Sequence, residues 1–250
     1  MSLEESVPWL ATEDASTDNI ATAGRLFRGS GGDSFVSNEF GGDRQLQNSA
    51  FSGRIFDVLF SALVLVAVAP FLLLLILALQ IDNPGPIFFV QRRVGRNGAL
   101  FPCLKLRTMV TDAKERLEKL LSESPEAHAE WIANHKLRND PRVTRLGRFA
   151  RQFSLDELPQ LANILAGHMS VVGPRPIVEA EIWRYGHAFE DYCSVRPGLT
   201  GLWQVSGRND TSYDERVRLD RHYARSKCLT LDLRIIARTF SVVLDARGAY

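Results

Sequence analysis

The chain has 250 residues, of which 45% are apolar and 24% are charged, as is ordinary for a globular protein with one large or two small domains. Its three cysteines form no Cys-x-x-Cys pair, and its five histidines show no close ligand spacing. These features argue against a disulfide framework and against a transition-metal site. The net charge of +1 identifies no partner, so the distribution of charge along the chain is more informative.

The N-terminal region is polar and acidic. Residues 1–57 hold nine acidic and four basic residues, for a net charge of −5, whereas residues 58–250 carry a net charge of +6. Residues 1–50 are rich in Gly, Ser, Asp and Asn, and their hydrophobic residues follow no period, which predicts a disordered polar tail. The tail has no basic region of the kind that opens a signal peptide.

An uncharged apolar run of 24 residues follows at positions 58–81. A helix needs about 20 such residues to cross a bilayer, so the run predicts a membrane segment. Pro70 lies at its middle, where proline removes a helical hydrogen bond. The residues alone leave two arrangements open, a kinked spanning helix and a re-entrant hairpin that enters and leaves on one face. Basic residues beyond the run place the C-terminal part in the cytoplasm; they are Arg92, Arg93 and Arg96.

The remaining sequence predicts an α+β fold that is mostly helical. Asn97 and Gly98 separate two apolar runs and indicate a small β-hairpin, because this pair suits turns that need positive φ. We therefore expect a tail (1–50), a membrane helix (51–82) and a cytoplasmic domain (83–250). Within that domain, helices are predicted at 111–123, 126–138, 142–153, from about 156, and at 177–193, 212–226 and 231–245, with an irregular Gly-rich stretch at 196–210.

The acidic pair Asp156 and Glu157 lies in the segment SLDELPQL. A capping box from Ser154 to Glu157 would explain the pair structurally, but Pro159 would then fall inside the helix. If Asp156 is the N-cap instead, both carboxylates lie at a helix N-terminus, which favours anions and keeps a carboxylate ionised at neutral pH. Such a carboxylate can be a cap, a metal ligand or a nucleophile, and the spacing alone does not choose between these roles.

Arginines flank the acidic pair on both sides. Arg151 ends a basic helix close to the pair, and a guanidinium there could bind a phosphate with two parallel hydrogen bonds. Arg175 lies between two prolines whose fixed φ would orient it in advance. The Gly-rich stretch carries Arg208 but no P-loop pattern. The residues thus indicate a membrane-bound protein that handles phosphates, with a non-catalytic adaptor that binds anionic lipid as the alternative.

Several long motifs together resemble the bacterial sugar transferase family, whose members are monotopic phosphoglycosyl transferases, and in particular its exopolysaccharide-initiating type. The resemblance covers about residues 52–250 in order. The motifs that carry it are GPIFFVQRRVGRNG, FPCLKLRTM, NDPRVTRLGRFARQFSLDELPQLANILAGHMSVVGPRP, RPGLTGLWQVSGRN, LDRHY and LTLDLRII.

The resemblance implies a reaction and assigns roles to the acidic pair. A family member moves a hexose 1-phosphate from a UDP-sugar to undecaprenyl phosphate and releases UMP. The family's Asp-Glu dyad matches Asp156 and Glu157, of which the aspartate would be the covalent nucleophile and the glutamate would hold Mg²⁺. We expect further residues to bind the substrate; these are Arg151, Arg175, Lys105, Arg107, Arg208 and Asp220.

The resemblance also implies topology, location and partners. The family's membrane segment is re-entrant, which favours a helix broken at Pro70 over a spanning one. The expected location is the bacterial inner membrane, with the catalytic domain facing the cytoplasm, and the expected partners are the UDP-sugar, undecaprenyl phosphate and membrane lipids. No nucleic-acid motif accompanies the modest positive charge, so no nucleic acid is expected. The sequence leaves open whether the hexose is galactose or glucose, and whether the chain forms a homo-oligomer.

Overall fold

A long apolar helix, α1 (Gly42–Asp82), begins the part of the chain described by the computed structural model, which comprises residues 42–134, 137, 139–207 and 211–245. The chain divides into two compact units, Met1–Ala50 and Phe51–Tyr250. The predicted disordered tail lies mostly outside the described residues. Its last part, residues 42–50, is helical, which corrects the prediction there.

The segment Gly53–Asp82 of α1 is long and apolar enough to cross a membrane, with a mean hydropathy of 3.1. Pro70 lies inside α1, and the helix continues on both sides of it. The proline therefore does not end the helical backbone, although it still lacks the N–H that would bond to the preceding turn. The choice between a re-entrant and a spanning arrangement stays a prediction.

One side of α1 packs against the domain that follows it. Phe56, Phe60, Val64 and Leu65 contact one hydrophobic cluster, and Leu72, Leu75, Ile76 and Leu79 belong to another, around Leu106. The other side is uncovered. Its most exposed large side chains are Leu59, Leu63, Val66, Leu73, Leu74 and Ile81. Because each half of the apolar segment contacts the same domain, α1 lies along that domain rather than projecting away from it.

The predicted β-hairpin is confirmed. Strand β1 (Phe88–Val94) pairs antiparallel with β2 (Leu100–Leu106). The connecting turn places Asn97 at φ 60° and Gly98 at φ 75°. Both angles lie in the left-handed region that Asn and Gly tolerate best, which explains why this dipeptide indicates the turn.

The fold is mostly helical, as predicted. The helices after the hairpin are α2 (Ala113–Glu123), α3 (Pro125–Asn134), α4 (Arg145–Gln152), α5 (Gln160–Leu165), α6 (Ile182–Tyr185), α7 (Ala188–Ser194), α8 (Tyr213–Ser226) and α9 (Leu229–Asp245). The single helix predicted over 177–193 is wrong, because the chain breaks between α6 and α7 at Gly186, which has a φ of 46°. Apolar side chains of β2, α5, α8 and α9 form the largest cluster of buried residues described.

Two short strands were not predicted. Strands β3 (Ser170–Val172) and β4 (Gly198–Thr200) pair in parallel. Their backbones approach closely, since a Cβ atom added to Gly198 would lie 2.0 Å from the backbone nitrogen of Gly173. Only glycine fits at this contact. The pair brings the Pro174–Arg175–Pro176 segment beside the Gly-rich stretch.

Candidate active site

The acidic pair lies in a short 3-10 turn, Leu155–Glu157, between α4 and α5. Ser154 precedes the turn at φ 55° and makes no side-chain cap, so the capping box is not formed. Helix α5 begins only at Gln160, which leaves Pro159 outside it and corrects the prediction that the pair caps a helix. The charge states of the two carboxyls are therefore set by their neighbours rather than by a helix N-terminus.

Asp156 is buried, with 8% of its surface exposed. Burial, followed by the charge of Glu157, raises the pKa of Asp156 above its usual range, while Lys105 and Arg151 act in the opposite direction. The pKa of Asp156, about 6, still leaves this carboxyl mostly ionised at neutral pH, although its cause is not the helix N-terminus that the sequence predicted. A buried carboxylate that is shielded from water and lies beside cations is a stronger nucleophile than a solvated one.

The pKa of Glu157 is shifted in the opposite direction to that of Asp156. Burial alone would raise its pKa, but Lys105, Arg175 and Arg93 together lower the pKa of Glu157 below its usual range. The Lys105 Nζ donates a hydrogen bond of 2.6 Å to the Glu157 Oε1, and both side chains are about three-quarters covered. Lys105 is thus brought to the site as predicted. Two adjacent carboxyls with pKa values pushed apart are typical of sites in which each has its own role.

Arg175 follows β3 on the segment between the two prolines. Its guanidinium carbon lies 5.9 Å from the centre of the Trp203 ring, and its charge lowers the pKa of Glu157. Within the described part of the chain, the Arg175 guanidinium makes no hydrogen bond and no ion pair, in contrast to Lys105. A half-buried cation beside the dyad whose hydrogen-bond donors are unused within the described part of the chain is suited to bind an anionic ligand.

Arg93 is a site residue that sequence reasoning missed. Its Nη1 donates to the Pro176 carbonyl at 2.9 Å, and its Nη2 donates to the Gln91 Oε1 at 2.7 Å. Burial, followed by the charge of Arg175, lowers the pKa of Arg93, so two guanidiniums lie close together here. Arg93 was assigned only to the basic flank of the membrane segment, and its contact with Pro176 depends on tertiary structure.

Arg151 completes the group. Its Nε donates to the Thr108 Oγ1 at 2.8 Å. Burial lowers the pKa of Arg151, and the charge of Asp156 raises it, which places the guanidinium beside the aspartate as the sequence predicted. Asp156 and Glu157 are therefore surrounded by four cations, Lys105, Arg93, Arg151 and Arg175.

Residues 48–246 match the family described as bacterial sugar transferase. The chain belongs to this family. It is 46% identical over 216 residues to the exopolysaccharide production protein ExoY of Sinorhizobium fredii, and the match covers 86% of this chain and 95% of that protein. It is also 48% identical over 204 residues to the undecaprenyl-phosphate galactose phosphotransferase of Salmonella typhimurium, covering 82% of this chain but 43% of that longer protein.

A third relative carries a different sugar in its name. The UDP-glucose:undecaprenyl-phosphate glucose-1-phosphate transferase of Caulobacter vibrioides is 41% identical over 205 residues, which cover 79% of this chain and 71% of that protein. The resemblance identified from the motifs is thus confirmed for the family, while relatives named for galactose and for glucose both match.

Of the other predicted substrate-binding residues, Arg107 contacts the end of α1 rather than the dyad, whereas Asp220 is buried close enough to Arg175 for that charge to oppose its raised pKa. Arg107 donates to the carbonyls of Pro86 and Asn83, at 2.6 and 2.5 Å, so it holds the connection between α1 and β1. Asp220 is 1% exposed and accepts a hydrogen bond of 2.8 Å from the Tyr185 hydroxyl. Arg208 lies outside the described residues. The other carboxyl oxygen of Asp220 has no hydrogen-bond partner among the described residues, so a contact of Asp220 with the substrate stays a prediction.

The two carboxyls of the dyad would supply oxygen ligands to the magnesium ion that the resemblance implies. No group of three or more His, Cys, Asp or Glu side chains that could enclose a metal is found among the described residues. Magnesium is commonly held by one or two carboxylates together with substrate phosphates and water, so the dyad fits a metal that arrives with the phosphates. Glu157 is the better donor of the two, because its lowered pKa keeps it ionised.

Proposed function

We propose that the chain transfers a hexose 1-phosphate, galactose or glucose, from a UDP-sugar to undecaprenyl phosphate and releases UMP, as the first membrane step of exopolysaccharide or capsule synthesis. Family membership and the names of the relatives support the reaction class. The observation that carries the proposal is the dyad itself. Asp156 and Glu157 share one turn, their pKa values are shifted in opposite directions, and cations surround both.

In the first step, the ionised Asp156 carboxylate attacks the phosphorus that bears the sugar. The bond from this phosphorus to the bridging oxygen breaks, and UMP leaves with the electron pair. Asp156 is then joined to the sugar phosphate as an acyl phosphate. In the second step, a phosphate oxygen of the lipid attacks the same phosphorus, and the Asp156 carboxylate is released unchanged. The enzyme would follow ping-pong kinetics, because UMP departs before the lipid reacts.

The other residues bind the phosphates and orient them. The Arg175 guanidinium would bind a phosphate of the UDP-sugar, since it makes no hydrogen bond or ion pair within the described part of the chain. Arg93 fixes the segment that carries Arg175 through its hydrogen bond to the Pro176 carbonyl. Arg151 would hold the aspartate ionised at the moment of attack. Glu157 would hold Mg²⁺, which when bound would offset the charge that develops on the phosphates.

The test is UMP release by the pure full-length chain in nanodiscs with Mg²⁺, undecaprenyl phosphate and either UDP-galactose or UDP-glucose. Asp156→Asn should abolish release, because an amide is a poor nucleophile. Asp112→Asn is the matched control, since Asp112 is an exposed aspartate directly before α2 and forms an exposed ion pair with Arg116. Unchanged turnover in Asp156→Asn would remove this residue as nucleophile. No UMP from a wide panel of UDP-sugars would favour the non-catalytic adaptor.

A further inference from the structure

Four consecutive apolar residues are exposed where β1 begins. Ile87 is 40% exposed, Phe88 47%, Phe89 50% and Val90 52%. Successive side chains of a strand point to opposite faces, so both faces of this strand start (residues 87–90) are apolar and uncovered. Strands that contact water usually carry polar side chains on the exposed face, and a run of this kind is typical of a functional surface.

The strand start is fixed rigidly to the C-terminal end of α1. Arg107 bonds to the carbonyls of Asn83 and Pro86, and its backbone nitrogen donates to the Ile87 carbonyl at 2.9 Å. The Gln80 side chain in turn donates to the Gly85 carbonyl at 2.7 Å. The connection from α1 to β1 is therefore a hydrogen-bonded turn, and the position of the strand start follows that of α1.

The strand start also lies next to the catalytic dyad. Phe88 pairs with Leu106, which packs with Leu75 and Leu79 of α1. Phe89 pairs with Lys105, and the Lys105 Nζ bonds to Glu157. Paired residues of an antiparallel ladder share a face, so Phe88 faces the α1 side and Phe89 faces the dyad side.

We propose that the strand start is a second membrane-contacting element, which enters the hydrocarbon edge of the leaflet beside α1 and holds the dyad at the level of the lipid phosphates. The inference rests on the membrane placement of α1. A bilayer is the occupant because the strand start follows α1 after only four residues and is hydrogen-bonded to its end, and the last part of α1 also exposes apolar side chains, namely Leu73, Leu74, Leu77 and Ile81. Arg92 is exposed and lies two residues after the end of the strand start. Its positive charge there suits contact with anionic lipid headgroups.

The placement also has a consequence for catalysis. The lipid acceptor presents its phosphate at the membrane surface, while its chain stays in the hydrocarbon. An apolar element one strand away from Lys105 and Glu157 would set the height of the dyad relative to that phosphate. The strand start would thus position the enzyme on its lipid substrate without touching the reacting atoms.

Site-specific photo-crosslinking tests the inference directly. Benzoylphenylalanine would replace, one at a time, Phe88, Phe89, Leu73 on α1 and Lys119 on α2, whose side chain is 74% exposed. The full chain would be irradiated in nanodiscs of phosphatidylethanolamine and phosphatidylglycerol, and adducts would be identified by mass spectrometry. We expect phospholipid adducts at 88, 89 and 73 and none at 119.

The outcomes separate this inference from the proposed function. Adducts at 73 but not at 88 and 89 would overturn the inference and leave the reaction untouched. Crosslinks from 88 or 89 to a second copy of the chain would overturn it in favour of self-association. No lipid adduct at any position would overturn the membrane placement of α1 together with the inference.

A kinetic measurement distinguishes a positioning role of the strand start from a purely structural one. In the double variant Phe88→Ser, Phe89→Ser, loss of two half-exposed aromatic anchors should raise the KM for undecaprenyl phosphate in nanodiscs about ten-fold. A short, water-soluble isoprenyl phosphate reaches the site from solution, so its binding does not depend on the height of the dyad above the bilayer. The KM for this acceptor should therefore be unchanged. An equal loss of activity with both acceptors would overturn the inference.

Discussion

The Lys105 Nζ lies 2.6 Å from the Glu157 Oε1, which joins the hairpin directly to the acidic pair. Lys105 lies on β2, and Glu157 lies in the turn that follows α4, so the contact spans 52 positions of the chain. It places a cation on one carboxyl of the dyad and leaves the other, Asp156, buried with a raised pKa. The ion pair thus helps to shift the pKa values of the two carboxyls in opposite directions.

Removing this cation should disturb both carboxyls. In Lys105→Met, the pKa of Glu157 should rise, because burial would then be less opposed. The pKa of Asp156 should also rise, since Lys105 lowers it. We expect kcat/KM to fall about 100-fold near neutral pH, with the acid limb of its pH profile displaced upward. Lys119→Met, at an exposed pair on α2, is the control. A profile that keeps its shape in Lys105→Met would contradict the assignment.

The pH dependence of the first step should report Asp156. Burial and the neighbouring Glu157 raise the pKa of Asp156 to about 6. Only the ionised carboxylate attacks phosphorus, so single-turnover UMP release should fall as the pH drops through this range and level off above it. The measurement is rapid-quench release of UMP between pH 5 and 8.5. A rate independent of pH over this interval would argue against Asp156 as nucleophile.

The raised pKa of Asp156, the proposed nucleophile, predicts that its ionised form lowers the stability of the fold. A carboxyl with a folded-state pKa above its unfolded value stabilises the fold least when it is ionised, and this penalty develops as the pH rises from about 4 through about 6. Asp156→Asn should therefore raise the free energy of unfolding by about 3 kcal/mol at pH 8 and by only about 1 kcal/mol at pH 4.5. Chemical unfolding at the two pH values measures the difference. Equal effects at both would show that charge burial is not the cause.

Local signals predicted much of the fold. Asn97 and Gly98 indicated the hairpin because the turn needs positive φ at both, and the apolar run indicated α1 by composition alone. Strands β3 and β4 were missed because three residues each give no periodicity, and their pairing depends on contact between distant glycines, Gly173 and Gly198. The break at Gly186 was missed because a single glycine within a helical pattern does not reveal its φ.

Local motifs likewise revealed some residues of the site, whereas others depend on long-range contacts. The motifs identified Asp156, Glu157 and Arg175, and the tertiary structure brings them together. Arg93 was missed because its role arises from a hydrogen bond to Pro176, 83 positions away. The expected helix N-terminus at the dyad failed because Ser154 turns the chain through a left-handed conformation first. Long-range contacts, rather than the residues themselves, set the charge states of the dyad.

Arg175 should matter for substrate binding but not for stability. In Arg175→Gln, loss of a charged hydrogen-bond donor to phosphate should raise the KM for the UDP-sugar about 10- to 100-fold. The thermal midpoint should barely change, because this side chain makes no hydrogen bond or ion pair within the described part of the chain. Arg175→Lys should rescue little, since a lysine cannot form two parallel hydrogen bonds. A large loss of thermal stability in Arg175→Gln would indicate a structural role instead.

Asp220 and Tyr185 form a buried pair whose contribution should depend on pH. Burial raises the pKa of Asp220 to about 7, and its second carboxyl oxygen has no hydrogen-bond partner among the described residues. Tyr185→Phe would leave the ionised carboxylate without the hydrogen bond that now stabilises it. The variant should therefore lose about 1–3 kcal/mol of unfolding free energy at pH 8.5 and less at pH 5.5, where the carboxyl is protonated in the folded state.

Asp220→Asn should behave differently, because the amide removes the buried charge while its oxygen can still accept from Tyr185. We expect this variant to be at least as stable as the parent at pH 8.5 and to keep its KM for the UDP-sugar, since only 1% of the surface of Asp220 is exposed. Urea unfolding at both pH values, run with the kinetic assay, tests the pair. A KM raised about ten-fold in Asp220→Asn with unchanged stability would instead place Asp220 in contact with the substrate.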